Sequence, residues 1–158
     1  MKEIALLGTV NHVHADVLGA LLARGYSVDT MVDNPEHVML DDDRLTITHL
    51  AVEDHAKVVE MLTGYDTAVL VYNDDLSDAY TNDFTLRYFV DTVHAAREAG
   101  VRRIVVVGSP DSEAFFVSDL RRLDDIDWVY ISTEGNYPAR AVEEVANPQF
   151  HRAVYAEN

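Results

Sequence analysis

The residues with the clearest chemical potential lie in the segment GTVNHVH, which runs from Gly8 to His14. An apolar run precedes this segment, and an amphipathic helical pattern follows it. At such a strand-to-helix junction, a glycine-rich turn exposes backbone N–H groups that bind phosphate at the positive end of the helix dipole. Only the first glycine is present, because Asn11 and His14 occupy the other two positions of the three-residue spacing. The segment is therefore a phosphate loop by position, and whether it still binds phosphate is open.

The rest of the chain alternates short apolar runs with helical patterns, which is typical of a parallel sheet covered by helices on both faces. Three helical patterns end at a glycine, at positions 25, 64 and 100, where a left-handed residue commonly terminates a helix. The predicted strands are residues 3–8, 27–32, 45–50, 67–72, 103–108 and 127–132, with a last strand within 150–157. The predicted helices are residues 13–24, 54–63, 82–99, 113–123 and 138–146. We therefore predict a three-layer, doubly wound α/β fold with a mainly parallel sheet, in one domain that spans residues 1–158.

Several segments resemble, in order, those of the atypical short-chain dehydrogenase family, particularly its NmrA-like and NADH-flavin-reductase-like members. Those chains typically open with a strand and GATGFVG, followed by RGHEV and VR-P, and the same slots here read GTVNHVH, RGYSV and VDNPEH. The later matching segments are GYDTAVLVY, AREAGVRRIVVVGS, IDWVYIS and AVEEVANPQFHRAVYAEN. The resemblance covers almost the whole chain and implies a Rossmann-like fold that binds NAD(P).

The resemblance places ligand contacts at the carboxyl ends of the predicted strands, where doubly wound sheets bind ligands. An aspartate after the second strand accepts hydrogen bonds from ribose hydroxyls and repels a 2′-phosphate, so Asp33 favours NAD(H) over NADP(H) if a dinucleotide binds. A structural role for Asp33, capping a turn before Pro35, is an alternative of equal weight. Ser109, after the fifth strand, is the one catalytic candidate, although a serine in such a turn is more often structural. The candidate cofactor contacts are Gly8, Thr9, Asn11, Val13, Asp33, Tyr72 and Asn73.

The chain also departs from the family pattern at residues that matter for binding and catalysis. Asn11 can adopt a left-handed conformation but adds a side chain where the phosphates would sit, and His14 should tilt the helix or protrude toward the ligand. Both changes predict weakened pyrophosphate binding. Ala51 replaces an aspartate that the family has near the adenine, and lysine occurs only as Lys2 and Lys57, so the family's Tyr-x-x-x-Lys pair is absent. The segments that build the family's substrate pocket are also short here.

The net charge of −16 argues against nucleic-acid binding, which needs clustered Lys and Arg. The acidic residues form clusters that we interpret as a solvated surface, with a divalent-metal site as the alternative. None of them has the spacing of a calcium-binding loop. The clusters are Asp41-Asp42-Asp43, Asp74-Asp75 with Asp78, and Asp124-Asp125 with Asp127.

His12 and His14 form an H-x-H pair that, together with Asp33 or an acidic cluster, has the ligand types of a metal site. The positive end of a helix disfavours an imidazolium at this position. A neutral imidazole that caps the helix, stacks or fills the vacated phosphate space is therefore the preferred interpretation, and no metal site is predicted.

The cysteine content and the length of the apolar runs bear on the compartment and on membrane association. The 158 residues include no cysteine and no apolar run near the roughly 20 residues that span a bilayer. The opening MKEIALLG is too short for a signal peptide. These features lead us to expect a cytoplasmic protein without a membrane span.

Two functional hypotheses remain open at the level of sequence. The first is a nicotinamide-dependent oxidoreductase of the NADH-flavin-reductase type, with a dinucleotide and a flavin as candidate partners. The second is a degenerate, non-catalytic Rossmann-like module that acts through a protein partner or a smaller ligand. The aromatic-rich helix 82–99 offers an apolar surface that makes a homodimer a further candidate.

Overall fold

The computed structural model describes residues 3–51, 53–72, 79–149 and 152–155, with the side chains of 79–85 left out. Strands and helices alternate along the chain. The strands are β1 Glu3–Gly8, β2 Ser27–Val32, β3 Leu45–His49, β4 Thr67–Tyr72, β5 Arg103–Gly108, β6 Asp127–Ser132 and β7 Arg152–Tyr155. The helices are α1 His12–Ala23, α2 His55–Leu62, α3 Ala79–Ala99, α4 Glu113–Leu120 and α5 Tyr137–Ala146.

The strands form a seven-stranded sheet in the order β3-β2-β1-β4-β5-β6-β7, and its six pairings are parallel. The chain moves outward in one direction from β1 to β3 and then returns to place β4 beside β1. The strand order therefore reverses between β1 and β4, and a doubly wound sheet opens its ligand crevice at this point, beyond the carboxyl ends of the strands. The predicted fold class is confirmed.

Helices cover both faces of the sheet, and each face has its own core. The helices α1 and α5 pack together on one face and bury Val17, Leu21, Ala141 and Val145 against the sheet. On the other face, α3 packs between α2 and α4. This division explains the near-continuous apolar strands, because residues that point either way are buried.

The observed elements differ from the predicted ones mainly at their ends. The helix α3 begins at residue 79, three residues before the predicted start. The helix α4 ends at Leu120, and the N–H groups of Arg122 and Leu123 bond to carbonyls three residues back. The glycines at 25, 64 and 100 have positive φ, as predicted. The aromatic face of α3 is used inside the chain, because Phe89 and Val93 are fully buried against α4 and the sheet. These residues therefore do not form the predicted dimer surface, and Phe84 lies outside the described side chains. None of the described helices is long and apolar enough to cross a bilayer.

An ion pair anchors the amino edge of the sheet. Asp127 is only 3% exposed, so its assignment to a solvated acidic cluster was wrong. The guanidinium of Arg103 donates to Asp127 Oδ2 from Nε at 2.6 Å, because the register of β5 and β6 places the two residues side by side. The same guanidinium donates to the main-chain carbonyls of Glu144, Asn147 and Gln149 and thereby fixes the end of α5.

We expect Arg103→Met to lower the free energy of unfolding by about 3 kcal/mol, because the variant leaves Asp127 buried without its charge partner. Urea denaturation at pH 7 measures the effect. The control is Arg102→Met, at an exposed neighbouring side chain, which should change stability by less than about 0.5 kcal/mol. Equal losses in the two variants would contradict the assignment of Arg103 as the anchor.

Candidate functional site

The turn that follows β1 depends on a close contact with β4. Gly8 has φ +122°, a backbone conformation that residues with a Cβ rarely adopt. A Cβ built on Gly8 would lie 1.9 Å from the carbonyl oxygen of Val71. The next N–H group, that of Thr9, donates to the same Val71 oxygen at 3.1 Å. Only glycine permits this approach, so the first position of the phosphate loop is fixed by the sheet itself.

Asn11 has become the N-terminal cap of α1. Its φ of −153° is extended, so Asn11 does not adopt the left-handed conformation that an asparagine tolerates. Its side-chain Oδ1 accepts a hydrogen bond from the N–H of His14 at 3.1 Å. The N–H groups of His12 and Val13 have no hydrogen-bond partner within the described ranges. The capping side chain therefore uses one of the donors that a phosphate would take, and it leaves two.

His14 points into the core, so the expectation that its side chain protrudes toward the ligand is wrong. The residue is 1% exposed, and its Nε2 lies 2.8 Å from Thr30 Oγ1. The Thr30 hydroxyl donates its single proton to the Leu6 carbonyl at 3.0 Å. His14 must therefore donate from Nε2–H, which leaves Nδ1 as an acceptor. Burial lowers the pKa of His14 to about 4, so the ring is neutral near pH 7.

Asp33 directly follows β2 at the carboxyl edge, as the sequence predicts. Its carboxylate is exposed and makes no hydrogen bond with the described part of the chain. The turn at Pro35–His37 begins at Asn34 without a side-chain cap, so Asp33 does not have the turn-capping role that was its alternative. Thr9 and Val13 also lie at this edge, but the side chain of Val13 is buried, and only its N–H can meet a ligand.

Tyr72, the first of the two candidates beyond the switch point, has structural partners. The ring of Tyr72 is 4% exposed, stands edge-on to Phe89 and Phe116, and donates from its hydroxyl to Thr92 Oγ1 at 3.1 Å. A cofactor contact from Tyr72 would therefore have to come from its main chain. Asn73 lies outside the described residues.

Ser109 belongs to a hydrogen-bonded cluster that the sequence did not reveal. Its carbonyl accepts from Tyr130 Oη at 2.5 Å and from Ser112 Oγ at 3.0 Å, and its own hydroxyl donates to Ser112 Oγ at 3.3 Å. Burial raises the pKa of Tyr130 far above its usual value, which keeps the phenol a neutral donor. The cluster fixes the turn after β5, and this favours the structural interpretation of Ser109.

One concave region and the acidic clusters among the described residues are weaker candidates for the site. A cavity of about 570 Å³ lies at the opposite, amino edge of the sheet, beside Asp66, Arg102 and Arg103. Within the residues that the structure describes, no group of three or more His, Asp or Glu side chains is placed to hold a metal ion. The carboxyl edge at Gly8 and α1 is therefore the candidate site.

We expect Gly8→Ala to lower the free energy of unfolding by more than about 3 kcal/mol, because the Cβ would collide with the β4 main chain. The matched control is Gly19→Ala in the middle of α1, where a Cβ meets no atom within 4 Å. This control should raise stability by about 0.5–1 kcal/mol through helix propensity. Urea denaturation compares the two, and a mild effect of Gly8→Ala would contradict the tight β1–β4 contact.

The buried neutral His14 predicts that stability falls as the pH falls. The folded-state pKa of about 4 lies below the ordinary 6.5, so between these values the unfolded chain binds a proton that the folded chain excludes. The contribution is complete above pH 6.5 and amounts to a loss of about 2 kcal/mol at pH 5. His14→Gln can donate to Thr30 without titrating, and we expect it to lose about 2 kcal/mol less than the parent between pH 7 and pH 5. Parallel pH dependences in urea denaturation would show that His14 is not a buried neutral base.

Three solved structures resemble this chain in fold. A putative epimerase from Bacteroides thetaiotaomicron is 20% identical, with a TM-score of 0.78 over 96% of this chain and 94% of its own. An Escherichia coli NADPH-dependent quinone oxidoreductase complexed with NADPH is 16% identical, with a TM-score of 0.75 over 97% of this chain and 68% of its own. The Citrobacter sp. triphenylmethane reductase complexed with NADP(H) is 13% identical, with a TM-score of 0.76 over 98% and 69%. At these identities the likeness establishes the fold.

A search of the curated proteins by sequence gives no match. The sequence profile of the NAD(P)H-binding family, in contrast, matches residues 14–141, which include β2 to β6 and begin after the turn at Gly8. This match confirms the resemblance to NmrA-like, atypical short-chain dehydrogenases, and the chain belongs to the NAD(P)H-binding family.

Proposed function

We propose that this chain, as a single cytoplasmic domain, binds a nicotinamide dinucleotide across the carboxyl edge of its sheet. The observation that carries the proposal is the turn at Gly8, where β1 passes so close to Val71 that a Cβ has no room. This turn brings the N-terminus of α1 to the point where the strand order reverses, with the N–H groups of His12 and Val13 available as donors. Two N–H donors and the helix dipole suit a pyrophosphate, so the described residues fit the group.

The preference for NAD(H) over NADP(H) rests on Asp33. Its exposed carboxylate follows β2 directly and has no hydrogen-bond partner in the described ranges. A carboxylate at this position accepts hydrogen bonds from the two ribose hydroxyls and repels a 2′-phosphate. NADPH and NADP(H) are the cofactors named for the quinone oxidoreductase and the triphenylmethane reductase. Because of Asp33, the cofactor preference that we propose for this chain differs from the cofactors named for those two proteins.

The activity that fits best is a reductase reaction, in which the nicotinamide supplies a hydride to an acceptor such as a flavin. The chain contributes position rather than acid–base chemistry, because Ser109 is held in its turn by Ser112 and Tyr130. The fold and the reductases among its structural neighbours support this proposal.

A non-catalytic Rossmann-like module is the second candidate, and one observation favours it. Asn11 Oδ1 already accepts from the N–H of His14, so the helix terminus is partly satisfied without any ligand. A protein that had lost its cofactor would benefit from such a cap, because an N-cap contributes about 1 kcal/mol to stability.

Calorimetric titration of NADH and NADPH into the purified chain distinguishes the two candidates. We expect NADH to bind with a submillimolar Kd, and Asp33→Ala to weaken it about tenfold or more through the loss of two charge-assisted hydrogen bonds. Titrations in about 0.5 M salt screen the repulsion between the dinucleotide and the acidic chain. Asn11→Gly should tighten NADH, because it frees the His14 N–H for phosphate.

The control for Asp33 is Glu36→Ala, which removes an exposed carboxylate from the same loop and should leave the Kd within about twofold. If neither the parent nor Asn11→Gly binds NADH or NADPH, the dinucleotide proposal is wrong and the non-catalytic module is favoured. If Glu36→Ala weakens NADH as much as Asp33→Ala does, the effect is one of net charge and Asp33 is not a ribose ligand.

A further inference from the structure

A second concave site lies along the flank of α1, beside the loop that links β2 to β3. The crevice has a volume of about 390 Å³, within the range of small-molecule pockets. Its walls are mostly apolar. The lining residues on which the argument depends are Ala15, Leu18, Val38, Met39, Leu40 and His14.

The crevice exists because no α-helix covers this part of the sheet. The connection from β2 to β3 contains only the short 3-10 turn Pro35–His37, whereas the connections β1–β2, β3–β4 and β4–β5 contain α-helices. The register pairs Ile47 with Thr30, so the side chain of Ile47 lies on the face that α1 covers elsewhere. Met39 and Leu40 line the crevice and are 86% and 39% exposed, and Ile47, which does not line it, is 38% exposed. Exposed apolar side chains beside a concave site mark a binding surface.

One buried polar group in the wall defines the ligand more closely. His14 lines the crevice and is 1% exposed, and its Nε2–H donates to Thr30 Oγ1. Its Nδ1 is an acceptor without a partner in the described part of the chain. The loop that forms the outer wall carries four exposed or nearly exposed carboxylates, which disfavour an anion. These are Asp33, Glu36, Asp41 and Asp43.

We propose that the crevice binds an uncharged, planar aromatic molecule that donates one O–H or N–H to His14 Nδ1. The thioether of Met39 and the aliphatic wall suit an aromatic ring, since sulfur–aromatic contacts are favourable. The crevice begins at the phosphate loop, where Asn11 and His12 line it, and runs along the helix flank as far as Leu18, about 9 Å from His12 at 1.5 Å per residue. The proposed ligand occupies its apolar part, beside Leu18, and the pyrophosphate site adjoins the other end. The proposal does not require that a dinucleotide binds.

A matched pair of probes tests the proposal on the full chain. We expect 2-naphthol, a planar ring with one O–H donor, to bind by fluorescence titration at pH 7. We expect 2-methoxynaphthalene, which has the same ring without a donor, to bind about fivefold or more weakly, as the loss of one hydrogen bond predicts. Ala15→Phe fills the crevice from an exposed position on α1 and should abolish binding of 2-naphthol. Ala23→Phe makes the same change at an exposed position of α1 outside the crevice and should leave it unchanged.

Four results would overturn the proposal. Absence of 2-naphthol binding up to its solubility limit removes the site. Equal affinity for the two probes shows that His14 does not define the ligand, and equal losses in the two phenylalanine variants show that the probe binds outside this crevice. Competitive displacement of 2-naphthol by NADH shows that the crevice belongs to the dinucleotide site. The first three results are obtained without NADH, so the two proposals fail separately.

Discussion

The contact between Gly8 and the Val71 carbonyl is the constraint on which the site depends. It lies where β1 and β4 meet at the centre of the sheet, the position from which the chain extends in both directions. Because β1 ends there with a positive φ, the chain leaves the sheet at an angle that starts α1 within four residues. The turn sets the position of the N–H groups at the start of α1, and Asp33 follows β2, the strand that pairs with β1.

The other two family glycines are replaced in a way that preserves packing and changes the chemistry of the loop. Asn11 caps the helix, and His14 fills the space between α1 and β2 with a ring that bonds to Thr30. Thr30 in turn bonds to β1 through the Leu6 carbonyl, so a chain of two hydrogen bonds connects the helix to two strands. In this loop one backbone N–H and the space of two glycines are used for internal hydrogen bonds. The loop has therefore gained structural contacts and has not simply lost a binding motif.

The sequence predicted the strand positions, because buried parallel strands are continuous apolar runs. It also placed the candidate site at the carboxyl edge, because the topology brings the ends of the strands together there. It did not predict where His14 and Asp127 point. His14 on α1 bonds to Thr30 on β2, and Asp127 on β6 bonds to Arg103 on the neighbouring strand β5. Such pairings depend on how the elements are placed in the fold and not on the local sequence pattern. The flank of α1 was missed for a related reason, since an uncovered face becomes visible only when the covering helices are placed.

The missing helix between β2 and β3 also affects how tightly the sheet holds together. The strand β3 lies at the edge of the sheet, pairs with β2 alone, and has no fully buried residue. The central strand β4, in contrast, is buried along its whole length. Local opening costs least where few apolar contacts are lost, so β3 and its preceding loop should exchange their amide protons before the central strands of the sheet. The β3 side of the sheet is therefore less stable than its centre, and a ligand bound between α1 and this loop would order the loop.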